Sequence, residues 1–134
     1  MSNLDTQFSF LSSPVEVDRV QPFVDELAQR YQLSPDTQGN ILITLTEAVT
    51  NAIIHGNGCD CKKKVSVSLL RHADALEVRV SDQGLGFDPN KVPDPTTDEC
   101  LDKCGGRGIF LMKQLSDDCR FMQNGRTVAM RFKI

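Results

Sequence analysis

The stretch Ile41-Leu42-Ile43-Thr44-Leu45-Thr46-Glu47-Ala48-Val49-Thr50-Asn51-Ala52-Ile53-Ile54-His55-Gly56 carries two patterns on one helix. Ile41, Leu42, Leu45, Ala48, Val49, Ala52 and Ile53 recur at helical spacing. At 100° per residue they cover an arc of roughly 140°, a single buried face. Glu47, Asn51 and His55 follow at i, i+4 and i+8, so they line one edge of that helix, with Thr44 in the same arc. This polar stripe borders the apolar face instead of opposing it. A carboxylate, an amide and an imidazole therefore stand at the rim of the core, where a pocket can form. A solvated helix face is the plainer reading, although Asn is a modest helix former with no local reason to sit mid-helix. Ser34-Pro35-Asp36 marks the start, with a capping Ser followed by Pro at the first helical position. Gly56, Asn57 and Gly58 mark the end.

Outward from this helix the periodicity changes. Gln7 to Leu11 alternates, with Phe8 and Phe10 on one face, as in a short strand. Ser12-Ser13-Pro14 opens a first helix whose apolar set is Val17, Val20, Val24, Leu27, Ala28 and Tyr31. Pro22 interrupts it and predicts a kink or a later start. On the C-terminal side, Val65, Val67 and Leu69 alternate with serines and Leu70, and Leu76, Val78 and Val80 alternate with Glu77, Arg79 and Ser81. His72-Ala73-Asp74 lies between them, so the two runs form an antiparallel hairpin with His72 as a turn residue. A long segment from 82 to 105 follows, holding three of the six prolines. Long loops of this kind in compact domains are usually functional. Gly108 to Leu115 reads as a helix, and Cys119 to Met122 and Thr127 to Phe132 close a second hairpin around Asn124-Gly125. The order β-α-α-β-β-loop-α-β-β has no βαβ repeat. It predicts an α+β fold, a two-layer α/β sandwich with helices on one face of a mixed, mostly antiparallel sheet.

Composition limits what such a fold does. The 134 residues suit one domain spanning 1–134, and 40% hydrophobic with 25% charged residues is an ordinary globular mix. A chain this long buries roughly two-thirds of its unfolded surface and needs no disulfide or structural metal to fold. The net charge of −3, with no basic run longer than Lys62-Lys63-Lys64, argues against direct nucleic-acid binding. No apolar stretch approaches a membrane span. Met1 to Thr6 lacks the basic start and apolar core of a signal peptide, so a cytoplasmic location is expected. Cys59, Cys61, Cys100, Cys104 and Cys119 are odd in number and do not match the usual zinc spacings. Free thiols are expected, with a metal or redox clip between the two close pairs as the alternative.

Two further motifs add chemistry. Asp82-Gln83-Gly84-Leu85-Gly86-Phe87-Asp88 directly follows a strand. A carboxylate at a strand end can accept a hydrogen bond from an exocyclic amine. Gly84 and Gly86 let a flat ligand approach the backbone closely, and Phe87 can pack beneath the turn. The alternative is a simple glycine turn. Gly105-Gly106-Arg107-Gly108 then runs into a helix start, where exposed N–H groups at the positive end of the helix dipole suit phosphates. The alternative here is a flexible linker. It is neither a Walker A loop nor a dinucleotide fingerprint. A base-binding carboxylate, a phosphate-binding helix start and an oxygen-bearing Asn51 for a hard metal together describe one ligand. Mg²⁺ accepts one or two protein oxygens and takes its remaining ligands from phosphate and water. Thr127, after Gly125 and Arg126, adds a hydroxyl near the base.

Residues 47–56 resemble the N box of the GHKL (Bergerat-fold) ATPases. Residues 82–88 resemble their G1 box and residues 105–108 their G2 box, in the same order and over nearly the whole chain. DQGLGFDPNKVPDP (82–95) and GGRGIFLMKQLSDD (105–118) are similar to the bacterial anti-sigma factor serine/threonine kinase family within that superfamily. The resemblance implies ATP and Mg²⁺ as cofactors, with the stretch between the G1 and G2 boxes as a lid. It implies that Asn51 ligates Mg²⁺ and that Asp82 binds the adenine amine. Gly84 and Gly86 would shape the adenine pocket, and Thr127 would support Asp82. Gly105, Gly106, Arg107 and Gly108 would hold phosphates, with Arg107 as an exposed lid arginine in the alternative. Glu47 would orient and deprotonate the attacking hydroxyl, while His55 packs at the helix end. The partner implied is a STAS-type anti-anti-sigma protein carrying that hydroxyl, with a sigma factor and a homodimer as further possibilities. A non-catalytic, ATP-gated binding module is the competing function; retention of Glu47 favours the kinase. The ATP-binding piece of a histidine kinase fits poorly, because no helical hairpin bearing a phosphoacceptor His is present.

Overall fold

The computed structural model describes residues 3–85 and 106–134. Strand β1 (Asn3–Leu11) leads through a 3₁₀ segment (Pro14–Arg19) into helix α1 (Val20–Tyr31) and then α2 (Pro35–Asn51). A π turn (Ala52–Gly56) extends α2. Strands β2 (Lys64–Arg71) and β3 (Ala75–Ser81), helix α3 (Gly106–Leu115), and strands β4 (Asp118–Met122) and β5 (Thr127–Lys133) complete the order. Among the described residues no helix is long and apolar enough to cross a membrane.

Local signals explain most boundaries. The Ser34 hydroxyl accepts from the Thr37 N–H at 3.2 Å and so caps α2. Pro22 falls in the first turn of α1, where its missing N–H has no helical partner to lose. The α-helix accordingly starts late, at Val20, and the proline-started 3₁₀ segment fills the gap. The π turn is defined by the Asn57 N–H, which reaches five residues back to the Ala52 carbonyl at 2.8 Å.

The five strands form one sheet in the order β1-β2-β3-β5-β4. All four pairings are antiparallel, so the expected mixed character is absent among the described strands. One face carries Val65, Val67, Leu76, Val78, Met130 and Phe132, which pack with Val24 and Leu27 of α1, Ile41, Leu45 and Val49 of α2, and Met112 of α3. Each such side chain, fully buried, contributes roughly 1.5–3 kcal/mol. The other face carries the alternate residues of the same strands. In β1 an extra residue, Asp5, breaks the register between Leu4 and Thr6. Its carboxylate is held by Arg30 at 2.6 Å and by the Tyr31 hydroxyl at the end of α1.

The opposite sheet face hides a surprise. Glu77 alternates as a solvent-side residue, yet it is 3% exposed. Arg131 from the neighbouring strand donates to it at 2.8 Å, Arg79 from its own strand also pairs with it, and His72 lies 3.1 Å away. His72 is thus a partner of Glu77 as well as a turn residue. Burial pushes the Glu77 carboxyl up, but the two guanidiniums and the imidazole outweigh it and hold the group below the ordinary carboxylate value.

Candidate functional site

The edge stripe of α2 meets the start of α3. A Cβ added to Gly108 would stand 2.8 Å from Glu47 Oε2 and 2.9 Å from Asn51 Nδ2. Any side chain at 108 would push Glu47 and Asn51 aside, so glycine lets α3 begin directly against both groups. Gly108 itself is buried, Arg107 is exposed, and Glu47 and Asn51 are partly buried. The first-turn N–H groups of α3, at Gly106 to Ile109, form the positive end of its dipole beside a carboxylate and an amide. Gly105 lies outside the described residues.

His55 departs from the stripe. The π turn holds more residues per turn than an α-helix, so the i+4 step from Asn51 no longer lands on the same edge. His55 is exposed on this turn, which corrects the expectation of a packing role.

A second corner forms where the π turn meets the end of β3. A Cβ on Gly84 would overlap the Gly56 carbonyl oxygen, and a Cβ on Gly56 would fall on the Asp82 carboxylate. Backbone lies on backbone here, and only glycines permit that approach. Asp82 Oδ1 accepts from the Gly84 N–H at 2.8 Å. Burial pushes the Asp82 carboxyl above its ordinary value; the Gly84 N–H and the charges of Arg126 and Lys63 only partly oppose this. Among the described residues its hydrogen-bond donor is the Gly84 N–H. Gly86, expected to continue this wall, lies outside the described residues.

Thr127 stands elsewhere. Its hydroxyl bonds the Ser81 hydroxyl at 2.8 Å, across the β3–β5 pairing that sets Ser81 opposite Thr127. The residue adjoining Asp82 is Arg126, whose carbonyl accepts the Asp82 N–H at 2.9 Å. Strand alternation is the reason: Thr127 and Ser81 share one face, and the chain positions next to them meet at Asp82. Arg126 thus holds the Asp82 backbone, and its charge also favours the Asp82 carboxylate. Gly56 and Arg126 adjoin Asp82 in this corner, which pattern reading did not show. Gly56 looked like a helix stop, and Arg126 differed from Thr127 only by a one-residue register.

Among the described residues no group of three His, Cys, Asp or Glu side chains gathers as a metal cluster. Cys59 and Cys61 are free and exposed and Cys119 is free and partly buried, as expected of thiols; Cys100 and Cys104 lie outside the described residues.

Two kinds of comparison bear on this arrangement. Residues 10–132 match the family described as "Histidine kinase-like ATPase domain". The chain is also similar to the proteins named Serine-protein kinase RsbW. It is 34% identical to that of Bacillus velezensis over 128 residues, covering 89% of this chain and 79% of the relative. It is 31% identical to that of Bacillus subtilis over 128 residues, with the same coverage. It is 32% identical to that of Listeria monocytogenes serotype 4a over 114 residues, covering 78% and 71%.

Proposed function

The chain belongs to the histidine kinase-like ATPase family, and from that premise we propose that it is an ATP-dependent serine/threonine protein kinase of a bacterial partner-switching system. Its substrate is a STAS-type anti-anti-sigma protein, and it acts in addition as an anti-sigma factor. The observation that carries this reading is the meeting of Glu47 and Asn51 at Gly108, a base and an oxygen donor placed against a helix N-terminus.

The parts divide the work. Asp82 accepts the exocyclic amine of adenine beside the wall formed by Gly56 and Gly84. Gly105, Gly106 and Gly108 bring backbone N–H groups to the phosphates, with Arg107 as an added cation. Asn51, a hard oxygen donor beside a carboxylate, fits Mg²⁺, which would neutralise charge on the phosphates when bound. Glu47 orients the partner's hydroxyl and takes its proton as that oxygen bonds the γ-phosphorus and the bond to the ADP oxygen breaks. Phosphoryl transfer asks mainly for positioning and charge stabilisation, with general-base help adding about 10²–10⁴-fold.

The test is incubation with γ-labelled ATP and STAS-type proteins of the same genome. We expect one of them to be labelled on serine or threonine. Glu47→Ala should keep ATP affinity and lose transfer by about 10²–10⁴-fold. Transfer at the native rate by this variant overturns the base assignment. ATP binding without transfer to any STAS-type protein favours the ATP-gated binding module instead.

A further inference from the structure

Asn57, the residue after the π turn, is 3% exposed, and its side chain is almost fully engaged. Its Oδ1 accepts from the Gln83 N–H at 2.7 Å. Its Nδ2 donates to the Ser12 hydroxyl at 2.6 Å and to the Lys64 carbonyl at 3.0 Å. The orientation of the amide is forced, because a backbone N–H can only donate and a carbonyl can only accept. Ser12, 1% exposed, is itself fixed by donating to the Lys63 carbonyl at 2.9 Å.

These bonds converge on the Asp82-Gln83-Gly84 segment. Gln83 sits between the carboxylate and the glycine of the second corner, and it is held twice. Its N–H goes to Asn57, and its side-chain Oε1 accepts the Lys64 N–H at 2.6 Å. Asn57 itself starts where the π turn closes on Ala52. One neutral amide therefore ties the end of β1, the start of β2, the π turn and the residue after Asp82. A charged side chain in this position would bring unpaired charge into a buried corner, and an apolar one would leave the Gln83 N–H and Lys64 carbonyl without partners.

We propose that Asn57 is a positioning residue for nucleotide-base selection, fixing the place of Asp82 relative to the Gly56–Gly84 contact through the Gln83 N–H. This rests on the reading of Asp82 as the group that accepts the base amine. It adds a specificity role to a residue that touches no base itself.

The experiment compares affinities for ATP and for ITP, which carries a carbonyl in place of the exocyclic amine. Asn57→Ala loses all three side-chain hydrogen bonds, and release of the Gln83 N–H among them should lower ATP affinity about tenfold and leave ITP within about twofold. Asn57→Asp keeps an oxygen for the Gln83 N–H and should retain the native ATP-to-ITP ratio within about 1.5-fold, even where its melting temperature drops. If Asn57→Ala does not fold, Ser12→Ala removes one anchor of the amide and should lower the ratio about threefold. Parallel loss of ATP and ITP in Asn57→Ala overturns the proposal, as does an unchanged ratio in the folded alanine variants. Asp82→Asn separates the two levels. If it leaves the ATP preference intact, the base reading fails and the proposal fails with it. If it abolishes the preference while Asn57→Ala keeps it, the proposal alone fails.

Discussion

Glu77 and Asp82 stand on β3 and just beyond its end, both withdrawn from water, and their carboxyls shift in opposite directions. Glu77 lies on the sheet face away from the helices and is met by Arg79, Arg131 and His72. Asp82 lies beside the π turn, where one backbone N–H is its described donor and its cations act at a distance. Burial opposes the charge of both. Where the protein supplies its own partners the charge is kept easily and the group is part of the framework. Where the described partners are fewer, burial prevails and the carboxyl holds its proton more tightly.

The contrast breaks first, and most visibly, at Asp82. Asp82→Asn should weaken ATP binding by about 10–100-fold, the range for a hydrogen bond to a charged group. It should not destabilise the fold. The folded protein holds the Asp82 proton more tightly than the unfolded chain does, so at neutral pH the ionised carboxylate works against folding. An amide removes that penalty and still accepts the Gly84 N–H. Calorimetry should show a melting temperature at or above native; a clear drop would assign Asp82 to the framework.

Glu77→Ala should do the reverse. It leaves two guanidiniums and an imidazole facing a buried gap and should cost about 2 kcal/mol in urea unfolding, with ATP affinity unchanged. The same group shapes the acid limb. Because its folded value is lowered, its contribution is complete above the ordinary carboxylate value of about 4.3 and is lost as pH falls through the folded value. Glu77→Gln should therefore flatten the stability–pH curve below about pH 4.3. The guanidiniums are about two-fifths exposed, so salt should weaken the effect.

The smallest effect extends the comparison to a thiol. Burial pushes Cys119 up to about 11, while Cys59 and Cys61 are exposed. Alkylation at pH 8, followed residue by residue by mass spectrometry, should modify Cys59 and Cys61 well before Cys119. Equal rates would mean that β4 opens readily.

Most of the fold was legible because its signals are local. The Ser34-Pro35 cap, the late start forced by Pro22 and the two hairpins each depend on a few neighbouring residues. So does the pairing of Glu47 with Asn51, which lie one turn apart in regular helix. What escaped depends on contacts distant in sequence. β1 begins at Asn3 because β2 pairs with it, although Asn3 to Thr6 has little strand character of its own. The burial of Glu77 was not legible because one of its two arginine partners, Arg131, lies on a strand more than fifty residues away. The π turn, which removes His55 from the stripe, is one residue of extra winding that a 100° periodicity cannot register.

Asp5 has a meaning for the protein in concentrated solution. β1 is an edge of the sheet, and an edge with a regular row of N–H and C=O groups is a template on which another chain adds as a further strand. The extra residue interrupts that row, and Arg30 and Tyr31 clamp its carboxylate at the end of α1. The edge thereby carries a kink and a charge where an incoming strand would need a straight, neutral rail.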